Sequence, residues 1–437
     1  MSALWAELPV LAQDILRTLL LLLPALVVGL LTLRGYAPWP LVRAILWRFR
    51  WPAAMFVLLI AISVGMGIGL LAQERGLRRG TAQAADKFDL VVAAPGSELT
   101  AMFAAVYLQP SDMPLLSGEV YDEIADHEDV SIAAPLAFGD SYGTAPLVGT
   151  TAAFLRYLSD DRITGRMWQT SAEAVIGALV PLETGDHFTP AHGEGDAAEH
   201  DAHGDAELTV VGRMAPTGTP WDRAILVPVE TVWEVHGLAN GHAPERAGQI
   251  GPPFDPAYFP GTPVIVTHSE ELWANYALRS EFTRDAETMA FFPGAVLAQL
   301  YRVMGDVRQA MSVMALVSQV LVAASVLVGL LILVRLFRRQ LALLRALGAP
   351  GRFVFAVVWS YAATLLAAGA LLGLATGWFA AALLSRVLTA RTDILVTAPL
   401  AWPELHFLAG FLSVAMLLSL LPGISLRRMS IVEALRS

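Results

Sequence analysis

The stretch PAAMFVLLIAISVGMGIGLL, from Pro52 to Leu71, decides the class of this protein. It contains no charged side chain, and about 20 apolar residues in a helix are enough to cross the hydrocarbon core of a bilayer. Four further stretches are long and predominantly apolar, at residues 15–33, 311–334, 353–384 and 407–424, and only the one at 15–33 contains a charged residue, Arg17. The sequence therefore predicts an α-helical membrane protein with five spans.

The stretch nearest the N-terminus, residues 15–33, has two other interpretations. A signal peptide needs a basic start and a small-residue cleavage site, but Arg34 stands where that site would be. A helix lying in the membrane plane is the second alternative, because Asp14 and Arg17 are close to the start of the stretch. We expect a retained span.

Composition excludes several classes of protein. Of the 437 residues 55% are hydrophobic and 16% charged, the net charge is −10 and cysteine is absent. An acidic centre argues against nucleic-acid binding, and without cysteine there is no disulfide, thiolate metal site or cysteine nucleophile. Lys87 is the only lysine, so the Gly-Lys-Ser/Thr phosphate loop is excluded. Any ATP must be bound by another polypeptide.

Arginine placement orients the spans, because cytoplasmic loops of membrane proteins are rich in Arg and Lys. Three segments that share one side of a five-span chain carry these arginines: Arg34, Arg43, Arg48, Arg50; Arg335, Arg338, Arg339, Arg345, Arg352; and Arg427, Arg428, Arg436. Arg75, Arg78 and Arg79 lie on the other side and weaken the bias. The prediction is a cytoplasmic arginine-rich side and a large outside domain.

That outside domain covers residues 72–307. Short β-rich runs bounded by Gly, Pro or Asp occur at 88–94, 206–214, 223–228 and 262–268, with helical patterns at 118–127 and 229–237. An α+β domain is the natural prediction.

Three groups of segments resemble the FtsX/MacB-like permeases of ABC transporters. RRQLALLRALGAPGRFVF (338–355) is similar to the cytoplasmic segment between the second and third core spans, and LRRMSIVEALRS (426–437) to the C-terminal signature. Residues 88–97, 135–150 and 209–227 are similar to outside-domain motifs of a bacterial subgroup. Gln340 departs from the usual Glu, and the first span is additional to the usual four.

The resemblance implies four core transmembrane helices plus one extra N-terminal helix. Residues 1–51 would form the extra helix and a linker, residues 52–71 a core helix, and residues 72–307 the periplasmic domain, with a flexible loop at 187–207. Residues 308–437 would form three transmembrane helices, with a coupling segment at 335–352 and a tail at 425–437. The location implied is the bacterial inner membrane.

The same resemblance implies the partners. They are two copies of an ABC ATP-binding subunit carrying ATP and Mg, a second copy of the permease, membrane lipid and a periplasmic partner protein. The chain itself would bind no cofactor directly and would not be an enzyme. Nucleic acid is not an expected partner.

The coupling segment has an amphipathic pattern. Its candidate residues are Arg338, Arg339, Leu341, Leu344, Arg345, Leu347 and Gly348. Gly348 followed by Pro350 predicts that the helix stops there. Amphipathicity leaves two alternatives, docking into an ATPase or anchoring at lipid headgroups. The resemblance favours docking.

Glycines recur every four residues in two spans: Gly65 and Gly69 in one, and Gly369, Gly373 and Gly377 in another. Small residues at this spacing let helix backbones approach closely. The contact is either within one chain or at a dimer seam.

The sequence HFTPAHGEGDAAEHDAHGDAE (187–207) interleaves four histidines with acidic residues. Imidazole and carboxylate are ligands of zinc and similar ions. The candidate ligands are His187, His192, His200, His203 and Asp201. Either the loop binds zinc weakly, or it is a solvated acidic loop, and its glycines argue against a rigid site. Asp140, Ser141 and His127 do not form a recognisable hydrolase motif.

The predicted function is a permease subunit that transmits ATP-driven motion to an outside domain and exports or extracts a substrate, with a link to metal homeostasis. Two alternatives remain: a regulatory scaffold that activates an extracytoplasmic enzyme, and a metal-binding membrane protein with no ATPase. The substrate and its direction are not encoded in any motif we recognise.

Overall fold

The computed structural model describes residues 8–109, 112–192, 206–284, 286–303, 338–392 and 395–421, together with scattered positions between 313 and 332. The chain divides into two compact units. We call them the helical unit (1–77, 306–387 and 397–437) and the sheet unit (78–305 and 388–396).

Helices dominate the helical unit. In chain order the helices of the protein are α1 Val10–Leu33, α2 Trp39–Arg48, α3 Arg50–Ala85, α4 Glu98–Tyr107, α5 Gly118–Ala125, α6 Ala152–Leu158, α7 Val229–Val235, α8 Leu272–Arg284, α9 293–303, α10 Arg338–Ala346, α11 Gly351–Thr392 and α12 Trp402–Leu418. Of the described helices, α1, α3 and α11 are long and apolar enough to cross a membrane. The helix α12 is apolar too, but its 17 residues are fewer.

The directions of four helices in the helical unit follow from their contacts. Matching positions of α3 and α11 face each other in the same order along both helices: Ile60 and Gly369, Val64 and Gly373, Ile68 and Gly377. These two helices therefore run parallel. Trp359, near the start of α11, donates from Nε1 to the Met416 carbonyl near the end of α12 at 3.3 Å. The helix α12 thus runs the opposite way.

The extra N-terminal helix α1 packs along α12. His406 donates from Nε2 to the Asp14 carbonyl at 3.1 Å, and Ser413 donates to the Leu21 carbonyl one to two turns further along both helices. The two helices are therefore parallel. With α1 and α12 running one way and α3 and α11 the other, the four helices have the alternation expected of spans one, two, four and five in a five-span chain.

The predicted third span, 311–334, lies outside the described residues except for scattered helical positions. The second predicted span ends at Leu71, whereas α3 continues as one helix to Ala85. The extension includes Gln73, Glu74 and Arg75, so it is polar but contains no proline. Because nothing in the backbone interrupts the helix, it outlasts the apolar stretch that predicted it.

Two sheets build the sheet unit. The strands are β1 Leu90–Ala93, β2 Ile132–Leu136, β3 Asp140–Tyr142, β4 Ala145–Thr150, β5 Ile163–Gly165, β6 Glu173–Ile176, β7 His187–Phe188, β8 Ala191–His192, β9 Leu208–Met214, β10 Ile225–Pro228, β11 Val264–His268 and β12 Met289–Phe291. One sheet has the order β12-β1-β11-β2, and the other has the order β5-β9-β6-β10-β4-β3-β8, with β7 beside β9. The four β-rich runs predicted from the sequence correspond to β1, β9, β10 and β11.

One hydrophobic core joins both sheets. Every residue of β1 is buried, as expected for a strand covered on both faces, and Leu90 and Val92 belong to the same cluster of buried side chains as Ile225 and Val227 of β10. The pairs β4–β10 and β6–β9 are parallel, whereas the other strand pairs are antiparallel.

Side-chain caps start three helices of this unit. Ser97, Ser117 and Thr151 each accept a hydrogen bond from the backbone N–H three residues later, at the starts of α4, α5 and α6. Such caps satisfy one of the donors that a helix leaves unpaired at its N-terminus.

The strands and helices of the sheet unit together confirm the predicted α+β class of this part of the chain. The number of core spans stays a prediction.

Candidate functional site

The glycines of the two spans lie at a close crossing of α3 and α11 within one chain. A methyl group added at Gly377 would be 2.5 Å from the Gly65 carbonyl oxygen, and one added at Gly373 would be 2.8 Å from the Val64 Cβ. Added at Gly369, it would be 2.6 Å from the Ile60 Cβ. Gly69 is less confined, with the Gly377 oxygen at 3.5 Å. The backbones of α3 and α11 therefore approach to a distance that no larger residue permits.

The coupling segment is a short helix, α10, that ends where its glycine predicted. The Gly348 φ of +97° is left-handed, and the Ala349 N–H donates to the Leu344 carbonyl at 3.0 Å. This conformation favours glycine, because a Cβ would collide with the backbone. Leu347 is 79% exposed, and Leu343 one turn earlier is exposed as well. The apolar face that α10 leaves uncovered thus runs through Leu343 and Leu347.

Several predicted residues lie outside what the structure describes. These are the side chains of Arg338, Arg339 and Leu341, the loop residues His200, Asp201 and His203, and the C-terminal tail. Leu344 and Arg345 are half-buried, and Arg345 has a partner.

The structure separates the two loop histidines that it describes. His187, in β7, is exposed and lies 3.1 Å from the Thr209 hydroxyl. His192, in β8, lies instead opposite Asp140 of β3, with 3.0 Å between His192 Nδ1 and Asp140 Oδ1. His236 comes to the same carboxylate from the end of α7, with its Nε2 3.8 Å from Oδ1. His187 and His192 therefore belong to different places in the sheet unit.

Asp140, His192 and His236 form a three-residue group. One possible ligand atom from each lies within 4.8 Å of the others. Two of these residues were not predicted as ligands: Asp140 was considered only beside Ser141, and His236 only as part of a helical pattern. No spacing rule connects them in the sequence, because a strand pairing and a helix end bring them together.

The helix that carries His236 also carries a buried acid. Glu230 accepts a hydrogen bond from the Gly251 N–H at 2.5 Å and lies 3.4 Å from His242 Nε2, with both side chains buried. Burial raises the pKa of Glu230 to about 7. Burial also lowers the pKa of His242. Both shifts favour the uncharged forms of the two side chains.

Comparison with known families places the C-terminal part of the chain. Residues 312–433 match the family model described as FtsX-like permease C-terminal. These residues form an FtsX-like permease domain. The resemblance that the sequence predicted is thereby confirmed. No curated protein sequence matches the chain significantly.

Solved structures give distant likenesses. The periplasmic region of MacB from Actinobacillus actinomycetemcomitans is 10% identical, covers 50% of this chain and 95% of its own, and has a TM-score of 0.31. The extracellular domain of the noncanonic ABC-type transporter YknZ from Gram-positive bacteria is 10% identical, covers 46% of this chain and 98% of its own, and has a TM-score of 0.27.

The FtsX-like permease domain includes α10, α11 and α12. A permease of this family is a membrane subunit of an ABC transporter and not itself a catalytic enzyme. The domain contains all the predicted residues of the coupling segment and the glycines of α11: Arg338, Arg339, Leu341, Leu344, Arg345, Leu347, Gly348, Gly369, Gly373 and Gly377. Their roles stay predictions.

Proposed function

We propose that this chain is the membrane subunit that couples a partner ATPase to a water-facing domain outside the cytoplasm. The observation that carries the proposal is the FtsX-like permease domain at 312–433, in a chain whose only lysine, Lys87, forms no phosphate loop. ATP and Mg would be bound by two copies of the partner, and two copies of this chain would complete the complex.

The proposed docking surface is the uncovered face of α10. Leu343 and Leu347 lie one turn apart on this helix, where apolar side chains left exposed to water mark an interaction site. The helix belongs to the arginine-rich side that we assign to the cytoplasm. A nucleotide-binding subunit that moves during its ATP cycle would push on this short helix.

A continuous helix supports transmission of that motion. Only a tight turn at Gly348 separates α10 from α11, whose 42 residues form one helix. The last part of α11 reaches the segment 388–396, which belongs to the sheet unit. A long helix moves as a rigid element, so displacement at one end appears at the other.

The proposal includes a bacterial inner-membrane location with the sheet unit in the periplasm. The helices α3 and α11 would run outward from the arginine-rich side, and α1 and α12 would run inward. The substrate would be exported or extracted outside the membrane, and a periplasmic protein would be the partner that receives or delivers it.

Co-purification tests the proposal. The affinity-tagged chain, extracted gently from its native membrane, should retain an ATP-hydrolysing subunit, and Leu347→Asp should reduce the retained ATPase about 10-fold or more by placing a charge in the apolar contact. Leu179→Asp changes a leucine of the sheet unit that is 58% exposed, and this variant should retain the wild-type amount of ATPase.

Two results would overturn the proposal: no ATPase associated with the wild-type chain, or equal retention by both variants. The alternative of a lipid anchor for α10 predicts the second result, with Leu347→Asp weakening membrane association instead.

A further inference from the structure

We propose that Asp140, His192 and His236 form a binding site for a divalent transition-metal ion, with zinc as the best fit. Two imidazole nitrogens and one carboxylate oxygen are a ligand set that zinc accepts, with a water completing the tetrahedron. Calcium and magnesium prefer oxygen ligands throughout, so this set discriminates against both.

Distances in the group are close to those of a metal site. Zinc ligands lie about 2.0–2.2 Å from the metal, so tetrahedral ligand atoms are about 3.4 Å apart. Asp140 Oδ1 is 3.0 Å from His192 Nδ1 and 3.8 Å from His236 Nε2. The two separations bracket the required value. The third separation, between the two imidazole nitrogens, is within 4.8 Å, so the side chains have to shift for all three ligand atoms to reach one ion.

The His236 ring has the tautomer that a ligand needs. Its Nδ1 lies 2.7 Å from the Val232 carbonyl, which can only accept, so the proton is on Nδ1. In the neutral ring Nε2 then carries a lone pair, and Nε2 is the nitrogen that faces Asp140. Metal-binding histidines are oriented in this way by carbonyl acceptors. A lone pair facing a carboxylate is stabilised by a cation between them.

The three residues lie on different secondary-structure elements. Asp140 and His192 are directly paired in the β3–β8 ladder, so their side chains are on the same face of the sheet. His236 caps α7. Its ring lies beside Gly139, where an added methyl group would be 3.4 Å from the His236 Cε1 and Nε2.

Burial of the group is asymmetric. The Asp140 side chain is 0% exposed, whereas those of His192 and His236 are 47% and 28% exposed. The exposed histidine side gives an ion a route from solvent to the buried carboxylate. The arrangement therefore fits an exchangeable site with an open position rather than a closed structural one.

Zinc titration of the full-length chain in detergent tests the site, with a fluorescent chelator as competitor. We expect one tight site in the wild type. His192→Ala should weaken zinc binding by about 10-fold or more, because it removes one of three protein ligands. His236→Ala should do the same. Calcium at the same concentration should not compete.

Two variants serve as controls. His268→Ala disrupts a different His–Asp pair, with 2.5 Å between His268 Nδ1 and Asp89 Oδ2, and should leave zinc affinity unchanged. The double variant His200→Ala/His203→Ala changes the histidine-rich sequence outside the proposed site and should retain the tight site. Thermal unfolding of each variant checks that it is folded. Because the His192 side chain is half exposed, His192→Ala should disturb the fold least.

Unchanged zinc affinity in both His192→Ala and His236→Ala would overturn the proposal. Loss of the tight site in the double variant, with His236→Ala unaffected, would overturn it too, because the histidine-rich sequence would then be the binding element. Retention of the partner ATPase is measured on the same samples, so failure of the metal site and failure of the coupling proposal are distinguishable.

Discussion

The helical unit and the sheet unit are stabilised in different ways. At the crossing of α3 and α11 the contact is made by glycine backbone, whereas the sheet unit packs an aromatic cluster of Tyr121, Trp233, Phe254 and Phe259. In lipid no hydrophobic effect drives helices together, so close backbone contact is the available source of attraction. In water the burial of large side chains dominates. The first unit should therefore be sensitive to added volume and the second to removed volume, whereas a buried charge without its partner should be costly in either.

Loss of a counter-charge should have the largest effect, in the helical unit. Arg75 of α3 pairs with the fully buried Glu404 of α12 and donates to the Pro399 carbonyl. Arg75→Met should destabilise the full chain in detergent by about 3–5 kcal/mol, because Glu404 is left buried without its partner. Thermal unfolding measures the loss. Arg75→Met/Glu404→Gln should recover most of it, and a double variant as unstable as the single one would contradict this explanation.

Added volume should come next. Gly377→Val places its Cβ 2.5 Å from the Gly65 carbonyl oxygen and should cost about 3 kcal/mol by forcing α3 and α11 apart. The matched control is Gly410→Val in α12, where an added Cβ meets nothing within 4 Å. The two variants are compared by the temperature at which each aggregates in detergent. Equal temperatures would show that the crossing tolerates volume.

The buried acid Glu230 of the sheet unit should make the stability of the chain depend on pH. Burial raises the pKa of Glu230 from 4.5 to about 7, so the folded chain holds this proton more tightly than the unfolded chain. Its contribution to stability is complete below pH 4.5 and is lost as the pH rises through 7, with a limit of about 3 kcal/mol. Glu230→Gln removes this loss, so the variant should gain stability over the wild type between pH 5 and pH 8.

Unfolding at several pH values checks the Glu230 prediction. Glu271→Gln changes an exposed acid elsewhere in the sheet unit and should follow the wild-type pH profile. A Glu230→Gln profile that falls as steeply as the wild type would contradict it.

A surface ion pair should have the smallest effect. Hydrogen bonds from the Arg166 guanidinium lower the pKa of Glu173 to about 2, so this carboxylate stabilises the fold above pH 4.5 and loses that contribution as the pH falls towards 2. Because Arg166 is half exposed, solvent screening keeps the loss of stability in Arg166→Met at pH 7 small, and it should be the smallest of those predicted here. At pH 3 the difference from wild type should shrink.

Arg162→Met provides the comparison for Arg166→Met. Arg162 is 65% exposed and lies 3.5 Å from Asp160, so its removal should change stability less. If both variants lose the same stability at pH 7, the Arg166–Glu173 geometry has no special contribution.

Much of the fold could be predicted from residue pattern alone. The runs that became β1, β9, β10 and β11 are apolar and bounded by turn residues, and Gly348 marked the end of α10. The predicted ends of the spans were less accurate. The helix α3 continues past Leu71, because polar residues end the apolar stretch without ending the helix. The glycine spacing indicated close packing but could not distinguish the same chain from a second copy.

The proposed metal site shows where pattern reasoning stops. His192 stood among the predicted ligands because it lies in a histidine-rich sequence, but its neighbours in the fold are Asp140 and His236. The sequence by itself determined that the chain has membrane-spanning stretches, carries an α+β part and contains no Gly-Lys-Ser/Thr phosphate loop, because hydrophobic length, strand periodicity and a short motif are local properties. Only the tertiary structure decided which helices run parallel and which ligands meet, because strand register and helix crossing bring together residues that no local rule connects.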